Sequence, residues 1–478
     1  MNVRLIGNTL GYVLLVEAGF MLLPLVTALL YGESCLPFLY GIALCAAVGG
    51  GLCLMRVREK QMQRRDGYMA VALSWLMLTL FGAMPYLFSG AIPRFFDAVF
   101  ETASGVTTTG ATIIPAVEEL PRSVLLWRSE TQWMGGMGVL VLFLALMPRL
   151  SDGAVYLMRA ESPGPIKSKL VPKVGETAKI LYSIYIGLTA LEILALRIAG
   201  MPWFHAVNHA FTTMATGGFS TYNASISQCS EAIVWVIIVF QFLAGVNFAL
   251  FFSAVCGRWR DIWHNEELKV YCGVVLAATG LICLNLCVQY GGSFGQSLTD
   301  AAFQVTTIIT TTGYATRDFA LWPTFSRCIL VALMYMGGSA GSTAGGAKVS
   351  RLMLLLKSMR REIRRIIHPN HVSVVTMDGQ AVEEQTVTSA HAFQVAYLLV
   401  LITGALIISW DDMGVTESLV ASLTCVSNVG PSLGQLGPMA NFAALSDVSK
   451  GTMALVMLMG RLELMPLLAL FSRYMYKK

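Results

Sequence analysis

Apolar runs long enough to cross a lipid bilayer follow one another along almost the whole chain, and no other feature narrows the possible folds as much. They occupy positions 10–30, 69–87, 140–147 with the residues before it, 180–198, 232–255, 270–288, 328–336 and 392–409. Roughly 20 apolar residues in a helix span the hydrocarbon core. Hydrophobic residues make up 55% of the 478 and charged residues 13%, where soluble domains carry about 25% charged. A soluble core cannot absorb that much apolar surface, so lipid must solvate much of it. The expected class is an all-α integral membrane protein.

The charges that remain are placed unevenly. Arg56, Arg58, Lys60, Arg64 and Arg65 lie between the second and third spans; Arg149, Arg159, Lys167, Lys169 and Lys173 follow the fourth span; Arg258 and Arg260 follow the sixth. Lys357, Arg360, Arg361, Arg364 and Arg365 follow the eighth, and Arg473, Lys477 and Lys478 end the chain. Ten spanning helices with both termini cytoplasmic put every cluster on the inner side, as positive-inside bias requires. Orientation accounts for the net charge of +5 without a nucleic-acid partner. The ten cysteines sit mostly in apolar runs, which argues against a disulfide framework. The first run contains Glu17 and leads into a second run, so it reads as a span rather than a cleaved signal. Glu17 is expected to be paired within the protein.

Four short segments repeat a pattern of hydroxyl or small residues followed by glycine. They are Thr107-Thr108-Thr109-Gly110, Met214-Ala215-Thr216-Gly217, Thr310-Thr311-Thr312-Gly313 and Ser427-Asn428-Val429-Gly430. An amphipathic stretch too short to span precedes each: 95–106, 203–214, 296–309 and 416–426. Thirteen residues before the glycine stand Asp97, Asp300 and Glu417, while the second unit has His205 one place later. A glycine-containing apolar helix follows each segment, with Gly135 and Gly136, Gly245, Gly337 and Gly338, and Gly460. The units therefore read as span, pore helix, loop, span, preceded by two extra helices at 10–30 and 36–55.

Non-helical backbone at membrane depth survives only when buried in protein or lining an aqueous path. Four such loops fit around one axis, toward which the short helices aim their negative C-terminal ends. Backbone carbonyls in that place replace a cation's water shell, and glycine reaches the required conformations cheaply. The expected ion-binding residues are Thr108, Thr109 and Gly110; Ala215, Thr216 and Gly217; Thr311, Thr312 and Gly313; and Ser427, Asn428, Val429 and Gly430. The expected organisation is a two-helix extension (1–66), pore repeat 1 (67–172), pore repeat 2 (173–262), pore repeat 3 with a broken second span (263–370), a cytosolic hairpin or linker (371–385) and pore repeat 4 (386–478), pseudo-symmetric around one ion pathway.

The stretch Gly337-Gly338-Ser339-Ala340-Gly341-Ser342-Thr343-Ala344-Gly345-Gly346-Ala347-Lys348 cannot be stable helix, each glycine costing about 1 kcal/mol relative to alanine. It lacks the Gly-Lys-Ser/Thr run of a phosphate loop and reads as a loop facing the path below the filter. Arg461 lies within the last span, where an arginine costs at least ~2.5–3.5 kcal/mol. Its five donors suit carbonyl oxygens, so it is expected to hold that loop across the path, Lys348 adding positive charge. His205 and His209 have a spacing that suits a metal, but they fall near the places of Asp97 and Glu101 and read as pore-helix surface. Asp378-Gly379 within 371–382 is a hairpin signal; the hairpin is either a linker or a docking point for a cytosolic partner. No paired nucleophile and base or His-Glu-x-x-His motif occurs, so an enzyme is not expected.

The phrases TTTGAT from Thr107, ATGGFS from Ala215, TTTGY from Thr310 and GGSAGSTAGGAK from Gly337 resemble the TrkH-type members of the Trk/Ktr/HKT superfamily of potassium transporters. The resemblance covers the whole chain. The fourth segment departs from it, with Val429 where the others carry threonine and Pro431 after the glycine. The resemblance implies gated potassium uptake across the bacterial inner membrane, with potassium as substrate and no organic cofactor. It also implies a homodimer with one pore per subunit and a cytosolic nucleotide-binding ring of the TrkA type as regulator. The 337–348 loop, with Gly337, Gly338, Gly341, Gly345, Gly346 and Lys348, would be the intramembrane gate, set against Arg461. Serine at the first filter glycine favours sodium in plant relatives; glycine in all four segments speaks for potassium over the alternative, a sodium or sodium/potassium permease of the same fold.

Overall fold

A computed structural model describes residues 2–55, 62–138, 174–291, 293–369 and 373–473. The run 140–147, His371 and the basic residues Arg56, Arg58, Lys60, Arg149, Arg159, Lys167, Lys169, Lys173, Lys477 and Lys478 lie outside them. The helices are, in chain order, α1 (Val3–Phe20), α2 (Leu22–Tyr31), α3 (Leu36–Cys53), α4 (Arg64–Gly82), α5 (Met84–Ser89), α6 (Phe95–Val106), α7 (Arg122–Gly136), α8 (Val174–Ile198), α9 (Trp203–Met214) and α10 (Glu231–Ala244). They continue as α11 (Phe248–Val255), α12 (Trp259–His264), α13 (Glu266–Tyr290), α14 (Phe294–Ile309), α15 (Thr324–Met336), α16 (Val349–Ile367), α17 (Glu384–Ile408), α18 (Val415–Ser427), α19 (Asp447–Arg461) and α20 (Met465–Leu470). One hairpin, β1 (Thr376–Met377) and β2 (Gln380–Ala381), interrupts the all-α order.

Six continuous stretches among the described residues are long and apolar enough to cross a membrane: Val3–Tyr31, Leu36–Cys53, Arg65–Ser89, Gly175–Ile198, Glu266–Tyr290 and Glu384–Asp411. Their outward faces carry apolar side chains such as Leu276 (73% exposed) and Val288 (80%), which only lipid would cover. Sequence sets their ends. Asn265 caps α13 by accepting from the Leu268 N–H (2.8 Å), and left-handed Gly291 closes it. The N-terminal pair packs closely because α1 and α3 meet glycine to glycine: a Cβ on Gly11 would lie 2.6 Å from the Gly49 carbonyl oxygen.

Among the described residues, helices break in more places than the third unit, where the sequence expects it. The run 232–255 is two helices, α10 and α11, bent by 93°. Asn247 starts the second by accepting from the Ala249 N–H (2.9 Å), while the freed carbonyls of Ala244 and Gly245 accept from Thr343 Oγ1 (3.2 Å) and Ser339 N–H (3.0 Å). The helices α7, α15 and α19 also stop at their glycines, Gly136, Gly337 and Gly460 with Arg461. The sequence points to a broken second helix only in the third unit. Glu17 differs too: it is fully buried among Gly82, Thr102 and Trp127, and neither carboxyl oxygen accepts a hydrogen bond among the described residues.

The hairpin forms as its turn residues dictate, with Asp378 (φ 51°) and Gly379 (φ 76°) both left-handed. It docks on its own chain. The Asp378 carboxylate accepts from the Glu266 N–H (2.7 Å) at the start of α13, and Lys357 of α16 bridges Glu266 and the Thr376 carbonyl.

Candidate functional site

The four short helices α6, α9, α14 and α18 end in one geometry. The first residue past the turn is left-handed despite its side chain: Thr108 (φ 56°), Thr216 (55°), Thr311 (57°) and Asn428 (57°). Non-glycine residues rarely hold that conformation. Two places later comes a left-handed glycine: Gly110 (82°), Gly218 (78°), Gly313 (82°) and Gly430 (103°). The N–H between them reaches back into its helix in every loop: Thr109 to the Ser104 carbonyl (2.8 Å), Gly217 to Thr212 (2.8 Å), Thr312 to Thr307 (2.8 Å) and Val429 to Thr424 (2.9 Å).

This equivalence moves the second loop by one residue from its sequence alignment. Gly218, not Gly217, takes the place of Gly110, and Ala215 takes that of Thr107. The sequence does carry the signal: His205 stands thirteen residues before Gly218, the offset of Asp97, Asp300 and Glu417 from their glycines.

The loops touch in cyclic order. A Cβ on Gly110 would fall on the Gly217 carbonyl oxygen, one on Gly218 on that of Thr312, one on Gly313 on that of Val429, and one on Gly430 on that of Thr109. Absence of a side chain at these four positions is what lets the ring close. Gly110, Gly218, Gly313 and Gly430 line one cavity of about 110 Å³ on one side of the ring, with Thr112, Tyr222 and Asn223 farther out.

Neighbouring units are tied by buried polar groups that sequence reading does not single out. Arg128 donates from Nε to Glu101 (2.8 Å) and from Nη1 to the Ser220 carbonyl (3.2 Å), and its guanidinium lies 4.1 Å from the Phe219 ring centre. Glu101 also accepts from the Ile113 N–H (3.0 Å), so this ion pair joins the first and second loops. The available signal is a charge of each sign in two neighbouring membrane-depth helices. Tyr314 bonds Thr212 and donates to the His209 carbonyl (3.3 Å), tying the third loop to α9. His205 Nδ1 is bonded to Thr221, and both ring nitrogens of His209 are taken, by the His205 carbonyl and Ser220, so the two rings do not form a metal-binding pair.

The 337–348 loop is not among the residues lining that cavity. It leaves and returns at one point, the Ala347 and Lys348 N–H groups donating to the Tyr335 (3.1 Å) and Met336 (2.9 Å) carbonyls. Gly337, Gly341, Gly346 and Lys348 are left-handed. Gly345 donates to Thr311 Oγ1 (2.7 Å), and a Cβ on Gly345 would strike the Ser427 carbonyl, so this loop sits directly against the third and fourth loops of the ring. Gly338 packs on Ala344, and Gly341 on Asn247 of the α10–α11 break.

Arg461 reaches the loop. Its Nη1 donates to the Thr343 carbonyl (2.7 Å) and its Nη2 to the carbonyls of Gly135 (2.7 Å) and Gly136 where α7 stops. Lys348 folds its ammonium back onto the Ala344 carbonyl, and Glu463 pairs with Arg351. Glu267, in the first turn of α13, stands in no sequence motif: Oε1 accepts from the N–H groups of Ala340 (2.7 Å) and Ser350 (3.1 Å), clamping both ends of the loop.

Residues 37–477 match the family model described as TrkH, cation transport protein. The chain is 39% identical to the Trk system potassium uptake protein TrkH of Salmonella typhimurium over 99% of both chains. It is 32% identical to TrkG of Escherichia coli K12 over 100% of this chain and 99% of that one. The crystal structure of the potassium transporter TrkH from Vibrio parahaemolyticus superposes with a TM-score of 0.90 over the full length of both chains, at 32% identity. An all-α, multi-pass membrane chain with this closed ring of loops therefore belongs to the TrkH family of cation transport proteins.

Proposed function

We propose that the chain carries potassium inward across the bacterial inner membrane, through one path framed by four pseudo-symmetric pore repeats, with both termini cytoplasmic. The observation that carries this reading is the closed ring of four loops with left-handed residues at matching places. Four pore helices bring their negative ends to that ring, which favours a cation there. The repeats run from about 67, 173, 263 and 386, with the second loop read in its shifted register. The carbonyls of Thr109, Gly217, Thr312 and Val429 lie against the neighbouring glycine. Those of the flanking residues, Thr108, Thr216, Thr311 and Asn428 and the four glycines, are then the oxygens offered to the ion. Ala215, packed on Gly136, and Ser427, bonded to Tyr397, sit one place deeper. Potassium follows from glycine in all four loops and from relatives named as potassium uptake proteins.

In this reading the 337–348 loop is the barrier. It is pressed against two of the four loops, and Arg461, bonded to Thr343 on one side and Gly135 on the other, closes the path with a positive charge. Opening requires α16, which follows the loop directly, to be drawn away. A TrkA-like cytosolic ring acting on a homodimer is the partner suited to that pull. Purified protein in liposomes tests the reading: rubidium and potassium uptake should exceed sodium uptake at least tenfold, a margin set by the ligand field of a carbonyl ring. Equal uptake of sodium and potassium would sink it.

A further inference from the structure

The four loops are equivalent in backbone but not in how they are stiffened. In the first and third loops two threonines brace each other from within: Thr107 and Thr109 hydroxyls lie 2.8 Å apart, as do those of Thr310 and Thr312. Thr107 and Thr310 each also donate to a carbonyl of their own helix (2.6 Å). In the second loop the same two places hold Ala215 and Gly217, which have no hydroxyl to offer. A loop without that brace would leave its carbonyls loosely placed.

A side chain from another unit fills the gap. Gln132 of α7 is fully buried, donates from Nε2 to the Gly217 carbonyl (2.6 Å) and accepts from the Phe219 N–H on Oε1 (3.1 Å). Its amide clamps the loop on both sides of Gly218. A Cβ built on Gly217 would collide with Cδ and Oε1 of Gln132, so the amide occupies the volume a threonine side chain would need. The corresponding residue of the second unit is Gln241, four places before Gly245 as Gln132 is before Gly136. It bonds Thr306 (3.4 Å) and Thr307 (3.1 Å) in helix α14 instead of the third loop, which carries its own threonine pair.

We infer that Gln132 is a positioning residue for ion discrimination: it holds the second loop in the shape that a threonine pair gives the first and third, and the two devices are interchangeable. This rests on the reading of the four loops as a selectivity filter. The ion does not touch Gln132; it meets carbonyls whose direction Gln132 sets.

The test is the ratio of rubidium to sodium uptake in liposomes, with folding followed by gel filtration. Gln132→Met keeps the volume and loses both hydrogen bonds; the ratio should fall roughly fivefold or more, whereas Gln241→Met should move it less. The triple variant Gln132→Ala, Ala215→Thr, Gly217→Thr should recover most of the ratio, while Ala215→Thr, Gly217→Thr with Gln132 retained should lose uptake or fail to fold. Recovery in the triple variant supports the inference even if Gln132→Met does not fold. A folded Gln132→Met with the wild-type ratio overturns it, as does a triple variant that misfolds or stays unselective. Gly110→Ser run alongside separates the two readings: if it too leaves the ratio unchanged, the filter assignment has failed; if it lowers the ratio while Gln132→Met does not, only the role of Gln132 has.

Discussion

The ring of four loops and the 337–348 loop are both non-helical backbone surrounded by apolar helices, yet only the second is fastened by charged groups at its own backbone. Neutral groups hold the ring's own backbone: backbone N–H groups returning to their helices, threonine hydroxyls, and the amides of Gln132 and Asn428. The nearest charged pair, Arg128 with Glu101, grips the outer ends of the loops at Ser220 and Ile113. The 337–348 loop occurs once and, besides neutral bonds to Gly245, Ala244 and Thr311, is pinned by charge: Glu267 on Ala340 and Ser350, Arg461 on Thr343, Lys348 on Ala344. Neutral hydrogen bonds bring no net charge to the place proposed for the ion. Charged ones bring net charge to the proposed barrier and fasten it with a few strong, separable contacts. That division suits a permanent sieve in series with a removable barrier.

The most severe way to break the comparison is to unpin the loop. Arg461→Ala removes one charge and three carbonyl contacts, each charged hydrogen bond being worth about 1.5–3 kcal/mol. Potassium uptake by the protein without any partner should rise about tenfold or more, with the rubidium-to-sodium ratio unchanged. Removal of residues 339–345 should do the same. Uptake that stays level or falls in both folded variants would show that the loop packs the fold rather than blocking the path.

The ring should respond in the other coordinate. Gly110→Ser places a Cβ against the Gly217 carbonyl at a left-handed position. The ratio of sodium to potassium uptake should rise roughly tenfold as the carbonyls are displaced, while the need for an opening signal persists. Gly218→Ser should match it, because Gly218 holds the equivalent place. If only Gly217→Ser matched Gly110→Ser, the register of the second loop would be wrong.

Much of this division is legible in the residues themselves. Glycine frequency marks 337–348 as non-helical, and an arginine in an apolar span has to find carbonyls or water, so Arg461 and its target are both readable. The four Gly-containing segments stand out because each follows an amphipathic stretch. The second aligns out of register because Gly217 and Gly218 are chemically identical and only the offset to His205 tells them apart. The helix breaks at Gly136, Gly245 and Gly460 are hidden, since one glycine in an apolar run costs only about 1 kcal/mol. What breaks α10 from α11 is a loop far along the chain that supplies donors to Ala244 and Gly245. Gln132 and Glu267 act across units and leave no local pattern. The expectation that Glu17 is paired fails because the donors beside it, Thr102 Oγ1 and Trp127 Nε1, are used on the carbonyls of Ala98 and Gly82.

A milder cut falls on the same pins. Glu267→Gln keeps an oxygen for Ala340 and Ser350 but removes the charge, so both bonds weaken without being lost. Uptake without a partner should rise about two- to threefold, between wild type and Arg461→Ala, again with unchanged selectivity. A change in the rubidium-to-sodium ratio would mean that loop and ring are mechanically one unit.

The smallest effect is expected at the hairpin, and it decides what the hairpin is for. Asp378 accepts from the Glu266 N–H at 2.7 Å, so it caps α13 one residue before Glu267, the clamp on the loop. Lys357 joins the same Glu266 to Thr376 and so ties α16 to the hairpin. The hairpin is thereby a strap from the helix that follows the loop back to the helix that pins it. Asp378→Ala removes an exposed cap and should lower the melting temperature by only about a degree or two; Asp378→Asn should retain most of it. Because the strap acts on Glu267 only through the start of α13, uptake without a partner should rise less than about twofold and selectivity should not move. A hairpin that served only as a linker would show the small thermal shift and no change in uptake. One that served mainly to dock a cytosolic partner would leave partner-free uptake untouched and lose activation when the partner is added. The strap is supported if the partner-free protein itself leaks slightly more, in step with the weakened cap.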